Sequence, residues 1–394
     1  MTKANLMTGV KKHTMIIVLV LVTIFFAVAT NGSILKSQNV SNLIAQNAYV
    51  FVLATGMLLC ILTGGNIDLS IGSVVCFVGA VGATLMENAN MNPVIAVIFM
   101  LVIGIAIGAW QGFWIAFVRV PPFIVTLAGM LIFRGLSNVV LQGLTVSLKK
   151  SPAFISLFGG GANCYIPDFL DFVGLEKFNV TSMVFGIVAC LVYIIITISG
   201  RISKARKGYE MDSIVSVSVK LILICIVILT VTFKISQYRG IPTALIWVVL
   251  VVVIYGYITS KTTTGRYFYA VGGNEKATKL SGINTNRVYF IAYMNMGLLA
   301  ALAGMLTIAR MTSAQPTYGQ NYEMDAIGSC FIGGASAYGG VGTVPGVIVG
   351  AVLMGVINIG MSIMGVDANY QKVVKGVVLL LAVIFDVVTK KADK

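Results

Sequence analysis

Charge is scarce in this sequence: Asp, Glu, Lys and Arg together make up 10% of its 394 residues. An ordinary soluble domain carries about 25%. With 58% of the chain hydrophobic, so few ionised groups cannot keep a surface in water, which excludes a soluble globule and a disordered chain. Histidine occurs once, at His13, and that removes a Ser-His triad, a histidine metal centre and a buried imidazole relay. Cys60, Cys76, Cys164, Cys190, Cys225 and Cys330 form no CxxC pair, and all but Cys164 sit in apolar runs where Cys is a small hydrophobe. Neither a disulfide framework nor a zinc site follows. No GxxxxGK[ST] segment is present, so the chain hydrolyses no nucleotide through a P-loop. What is left is an all-α, multispanning membrane protein, not an enzyme, with no cofactor or metal of its own.

Acidic residues are fewer than basic ones, 13 against 27, for a formal charge of +14. No basic stripe with interleaved aromatics exists, so nucleic acid is not the partner. The cations cluster between apolar runs, where they meet the negative lipid of the cytoplasmic leaflet.

A bilayer core about 30 Å thick needs roughly 20 apolar residues per helix. Candidate spans are 14–30, 43–62, 70–86, 93–118, 123–142, 180–199, 219–236, 242–259, 288–309, 324–341, 346–364 and 370–389. The fold expected is a helical bundle of roughly 10–12 transmembrane helices with Gly-rich broken or re-entrant segments. Lys3, Lys11 and Lys12 put the N-terminus in the cytoplasm, and alternate crossings then bring Arg119, the basic 200–218 segment, the 260–287 loop and Lys390, Lys391 and Lys394 to the same side. That parity requires 324–341 to cross fully. The first run lacks a soluble sequel, so it reads as an uncleaved span rather than a signal peptide. The outer stretch at about 143–179, with Asp168, Asp171 and Glu176, is too short for a domain. Residues 1–394 are therefore expected to form a single transmembrane domain.

Three polar constellations stand out. Thr63 to Ser73 (TGGNIDLSIGS) joins two spans, and its Asn66, Asp68 and Ser70 either line water near the membrane or cap the following helix. In the 260–287 loop, Asn274 caps a short helix from Glu275 to Leu280, and Ser281-Gly282 ends it. That helix offers mixed charge with Ala277 and Leu280 to the cytosol, or is a solvated connector. The third runs from Glu323 and Asp325 through Gly333-Gly334 to Gly346; its glycines permit close packing, and the two acids at the outer entrance point to a lined passage. Asp68 to Ser73 and Asp325 to Ser329 echo one another with opposite entry, as inverted repeats would, although chance similarity serves as well. Further intramembrane polar groups are Gln46, Asn47, Arg134, Asn295 and Asn358; Arg134 needs an acidic partner or a wet cavity, and single amides also serve as interhelical glue.

Several of these blocks, in order, resemble the permeases of bacterial ABC importers for monosaccharides. The resemblance rests on Gly64-Gly65-Asn66-Ile67-Asp68-Leu69-Ser70-Ile71-Gly72-Ser73, Pro122 to Leu127 (PFIVTL), Thr264-Gly-Arg266 leading to Gly272-Gly273-Asn274, and Leu280-Ser281-Gly282-Ile283. Met324-Asp325-Ala326-Ile327, Gly333 to Gly346 and Lys375-Gly376-Val377 extend it over most of the chain. The 200–218 segment and the 219–236 span look like an insertion relative to the ribose type, which is similar to the xylose and multiple-monosaccharide branch. Thr278 departs from the small Ala common in the loop. The resemblance implies a permease that passes a xylose-like pentose or hexose delivered by a soluble or lipid-anchored sugar-binding protein. It also implies a separate ABC ATPase subunit that holds the ATP, and a second permease copy, as a homodimer. Gly273, Asn274, Glu275, Lys276, Ala277, Leu280, Ser281, Gly282 and Ile283 would be the ATPase-coupling loop. Asn47, Asn66, Asp68, Ser70, Arg134, Asn295, Glu323, Asp325 and Asn358 are candidates for the translocation pathway. The competing class is an ion-coupled secondary sugar carrier. Such carriers keep a buried acid for the coupling ion, whereas Asp68 and Asp325 fall at predicted span ends.

Overall fold

A computed structural model describes residues 3–171, 178–209 and 213–392 of the chain; Glu176 and Lys394 lie outside the described residues. Sixteen helices are present among them, joined by short turns. They are α1 (Lys3–Ala29), α2 (Ser37–Gln46), α3 (Ala48–Leu62), α4 (Ile71–Glu87), α5 (Pro93–Ala116), α6 (Pro122–Leu141), α7 (Pro152–Leu157) and α8 (Val180–Arg206). After these come α9 (Ile214–Ser236), α10 (Thr243–Lys261), α11 (Thr263–Gly273), α12 (Glu275–Leu280), α13 (Thr285–Met311), α14 (Tyr322–Ile332), α15 (Val344–Ile363) and α16 (Ala368–Ala392). Only one sheet is described, a two-residue antiparallel ladder that pairs Val146 with Ala314 and Ser147 with Ser313. The all-α class follows from long apolar runs, because only a helix satisfies its own backbone inside lipid.

Among the described residues, seven helices are long and apolar enough to cross a membrane, eight when the pair α2 and α3, bent by 42°, counts as one. Four of the twelve expected spans are not among these. The described apolar stretch of α1 is Met15–Ala29, and α4 has 17 residues. Helix α16 opens with the polar residues Asn369, Gln371, Lys372 and Lys375. The fourth, 324–341, is not a full-length helix. Its helical part, α14, has 11 residues, or about 16 Å at 1.5 Å per residue, and Gly333 to Thr343 continue as turns.

Contacts along α3 show the course of that broken segment. Asp325 near its start accepts a hydrogen bond from Tyr49 at the start of α3 (2.7 Å), and Gly340 near its end donates to the Leu62 carbonyl at the end of α3 (3.0 Å). The segment therefore runs the whole length of α3.

The described residues group into two compact units. The larger holds the described residues of 1–34, 43–164 and 244–394. Its centre is α3, buried at every position except Tyr49, packed against α13. Helix α13 is also pressed onto α5, and a Cβ added at Gly104 or Gly297 would run into the other's carbonyl oxygen. Such small-residue contacts let helices approach closely in lipid, where no hydrophobic force drives them together. The starts of α4 and α14 meet in the same way: Gly72 and Gly319 stand carbonyl to Cα, and Gly319 takes φ +74, a left-handed conformation that glycine adopts freely.

The smaller unit holds the described residues of 35–42 and 165–243 and contains the α8–α9 pair, the region read as an insertion. Gly186 of α8 lies against Thr232 of α9. The most apolar window of α9 has no buried residue, so that helix is apolar on surfaces that face no protein, as lipid contact requires. Asp168 accepts from the backbone of Leu170, Val180 and Thr181 and from the Thr181 hydroxyl, capping α8. Burial works to raise the Asp168 carboxyl, but those donors, the Thr181 hydroxyl first, hold it below the usual carboxylate range.

Candidate functional site

The short helix α12 forms as its sequence demands. The Asn274 side chain accepts from the Ala277 backbone amide (3.0 Å), and Gly282 closes the turn at φ +82. Thr278 faces inward, buried, its hydroxyl donating to the carbonyls of Ala270 and Asn274 at 2.8 Å each. A hydroxyl at this position adds two anchors that alanine lacks. Ile283 packs against the core, while Gly273, Lys276, Ala277, Lys279, Leu280, Ser281 and Gly282 are exposed. Leu280 is 90% exposed.

What fixes α12 is Glu275. Its carboxylate faces the bundle and accepts from Arg119 (2.8 Å), the Thr285 hydroxyl (3.2 Å) and the Tyr289 hydroxyl (3.1 Å). Arg119 lies in the turn between α5 and α6 with φ +66; it also donates to Thr285 and Asn286 and stacks its guanidinium over the Tyr289 ring at 5.4 Å. Burial pushes the Glu275 carboxyl up, but the Arg119 hydrogen bond and charge, with the two hydroxyls, outweigh it and hold it below the usual range. Helix α12 therefore divides into a gripped side (Asn274, Glu275, Thr278) and an offered side (Lys276, Ala277, Lys279, Leu280).

Most of the candidate polar residues inside the bundle have partners, whereas the buried Ser73 and Tyr293 hydroxyls make no hydrogen bond to a described residue. Asp68 and Asp325 are 2% and 1% exposed; Asp68 just precedes α4 and Asp325 lies in the first turn of α14, so both are buried at helix starts. The Asp68 carboxylate accepts from the Ser70 amide (2.8 Å) and hydroxyl (2.7 Å), and Gln111 donates to that hydroxyl, so Asp68 holds the residue that precedes α4, while no side chain caps the amides of α4 itself. Asn66 is tied to the Thr63 carbonyl. Asp325 pairs with the Lys375 ammonium at 2.9 Å and with Tyr49, whose ring stacks on Tyr322 at 3.6 Å. Glu323 is half-buried beside Gly72. Arg134 donates to the backbone carbonyls of Pro316 and Tyr318 (3.0 and 2.7 Å), pins the turn that leads into α14, and lies near enough to Glu323 for their charges to attract. Asn295 accepts from Tyr255, a link between α13 and α10. The glycines of 328–350 serve packing, with Gly333 against Gly346 and Gly350 against Ser329.

Of the pathway candidates, Asn47 and Asn358 line a cavity. Asn358 donates to Asn47 (3.2 Å) at the bend between α2 and α3. The cavity has a volume of about 480 Å³, and Gln46, Tyr49, Arg310, Tyr322, Ser362, Gln371 and Lys375 share its wall. It lies at the far end of α13 from α12: Tyr289 touches Glu275, Arg310 lines the cavity, and 21 residues separate them. At 1.5 Å per residue that is about 32 Å, the depth of a membrane. Among the described residues no His, Cys, Asp and Glu cluster forms a metal site.

Reading the sequence missed Arg119 as a site residue, and missed Tyr49, Tyr322 and Lys375. Lys375 gave a signal, a cation inside an apolar run. The tyrosines gave none, because nothing in their neighbourhood distinguishes them from interface aromatics.

A multi-pass helical bundle with a rigidly held helix at one end and a polar cavity about one membrane away is the form of a membrane permease. Residues 39–383 match the family described as the permease component of branched-chain amino acid transport systems. The chain is similar to the xylose transport system permease protein of Escherichia coli K12, at 36% identity over 96% of this chain and 92% of that protein. It is similar to that of Haemophilus influenzae Rd at 35% over 96% of both. The ribose import permease protein of Escherichia coli K12 is 34% identical over 98% of this chain and 95% of its own length. No solved structure matches the chain. The chain belongs to this family of ABC importer permease subunits and is a multi-pass inner-membrane protein.

Proposed function

We propose that this chain is the conduit of an ATP-driven importer for a xylose-like pentose or a hexose, powered by a separate ATPase subunit and supplied by a soluble or lipid-anchored sugar-binding protein. The observation that carries the reading is the two-sided α12: Glu275 and Thr278 lock it to the bundle while Leu280, Lys276 and Lys279 face away. An element gripped on one side and apolar at its free tip suits a groove in a partner that pushes on it. The sugar class is supported by the xylose and ribose permeases to which the chain is similar. ATP and its hydrolysis belong to the partner, and this chain holds no cofactor. Basic residues at both termini and in the α8–α9 and 260–287 loops support a cytoplasmic N-terminus and contact with anionic lipid. A second copy of the permease completes the pathway.

The test is uptake into proteoliposomes that contain the permease, its ATPase and the binding protein. Uptake should require hydrolysis on the α12 side. Leu280→Asp should abolish co-purification of the ATPase and uptake together while the permease stays folded. Uptake by the permease alone, driven by a proton or sodium gradient, would transfer the chain to the secondary carriers.

A further inference from the structure

We infer that the cavity at the α2–α3 bend is a docking site for a neutral monosaccharide on the permease itself. This rests on the importer reading above and adds a place and a chemistry to it.

Size comes first. About 480 Å³ lies within the range of small-molecule pockets, roughly 300–1,000 Å³, and well below that of a peptide groove. The wall then selects among small molecules. Gln46 is exposed and makes no hydrogen bond to another described residue, so it offers an amide donor and an amide acceptor. Gln371 spends one N–H on the Val366 carbonyl and keeps its amide oxygen. Ser362 spends its proton on the Asn358 carbonyl and keeps its lone pairs. The free groups are thus rich in acceptors. A ligand must donate to them, which hydroxyls do and a carboxylate or phosphate does not.

Charge points the same way. Lys375 lines the cavity but is neutralised by Asp325 at 2.9 Å. That leaves Arg310, in the last turn of α13, where the negative end of the helix dipole already offsets a cation. The stacked Tyr49–Tyr322 pair supplies an apolar wall for the C–H face of a sugar ring. With Tyr49 donating to Asp325, the pair is held in place before any ligand arrives.

The probe is isotope-labelled D-xylose, with the full-length permease and its ATPase in nanodiscs, read by saturation-transfer NMR. Xylose should bind weakly and be displaced by other neutral aldoses. Gln371→Ala and Ser362→Ala should each weaken binding about 5- to 10-fold, the loss of one net hydrogen bond. A second measurement does not depend on those variants. The native cysteines are buried or partly buried, so Gln46→Cys introduces the one exposed thiol among the described residues, and xylose should protect it from a hydrophilic maleimide. Tighter binding of glucuronate or a sugar phosphate than of xylose, lost in Arg310→Gln, would make this an anion site and overturn the proposal. Absence of both binding and protection would overturn it as well. ATP-driven uptake measured on the same wild-type preparation separates the two readings: if uptake persists without binding here, only this proposal falls.

Discussion

Arg119 is the residue whose removal most directly tests whether α12 is a transmitting element. It joins the α5–α6 turn to α12 through Glu275 and to the start of α13 through Thr285 and Asn286. The two charged side chains are 42% and 36% exposed, so solvent screens the pair and its worth is that of a surface ion pair, about 0.5–1 kcal/mol. Arg119→Ala should therefore lower the apparent affinity of the ATPase for the permease, or the sugar moved per ATP hydrolysed, by roughly 2- to 5-fold rather than abolish it. Glu275→Gln should do the same, and the double variant should lose less than the product of the two single losses, because the Arg119–Glu275 pair is counted in both. Exchanging the two charges, Arg119→Glu with Glu275→Arg, should restore part of the loss.

The pH dependence has a definite sign. The folded Glu275 carboxyl lies below its ordinary value of 4.5, so the contribution of its ionised form is complete above that value and is lost as pH falls through the lower folded one. Coupling should be flat across neutral pH. Doubling the salt should weaken the wild type toward Arg119→Ala. Strictly multiplicative effects of the two single variants, or a wild type indifferent to salt, would refute the idea that Arg119 acts through Glu275.

Two further outcomes test the packing. Lys375→Met leaves the Asp325 carboxylate buried without its cation and should cost about 3–5 kcal/mol, read as a lower melting temperature in detergent; Asp325→Asn in the same chain should recover most of it. Gly297→Ala drives a methyl into the Gly104 carbonyl and should cost about 1–3 kcal/mol by the same assay, whereas Gly200→Ala, where the added Cβ meets nothing, should cost nothing.

Helix α12 was legible because its signals are local: an Asn274 cap, an acidic first position, a Gly282 stop. The Arg119 latch was not, since Arg119 and Glu275 are 156 residues apart and only the turn between α5 and α6 brings them together. Hydropathy located the spans but could not tell a whole helix from a broken one. The run 324–341 is apolar but for Asp325, Ser329 and Ser336, and its helix ends after Ile332, where Gly333 lies against the backbone of Gly346, a tertiary contact. Hydropathy was equally blind to burial: Asp68 and Asp325 stand at the starts of α4 and α14, yet both are buried because those starts lie inside the bundle, where Gly72 and Gly319 approach closely.

Helix α13 relates these parts. It is buried along most of its 27 residues, and its packing on α5 through Gly104 and Gly297 leaves no slack at mid-length. One end carries Thr285 and Tyr289 on the carboxylate of Glu275, and the other carries Thr307 and Arg310 in the cavity wall. A close-packed rod cannot absorb a displacement at one end by bending locally, so a tilt imposed through α12 must appear at the cavity. Across about 32 Å, an angle of a few degrees moves Arg310 by roughly 2 Å, comparable to the length of a hydrogen bond. A sugar held there by single hydrogen bonds would be released by that motion without any change in the chemistry of its wall.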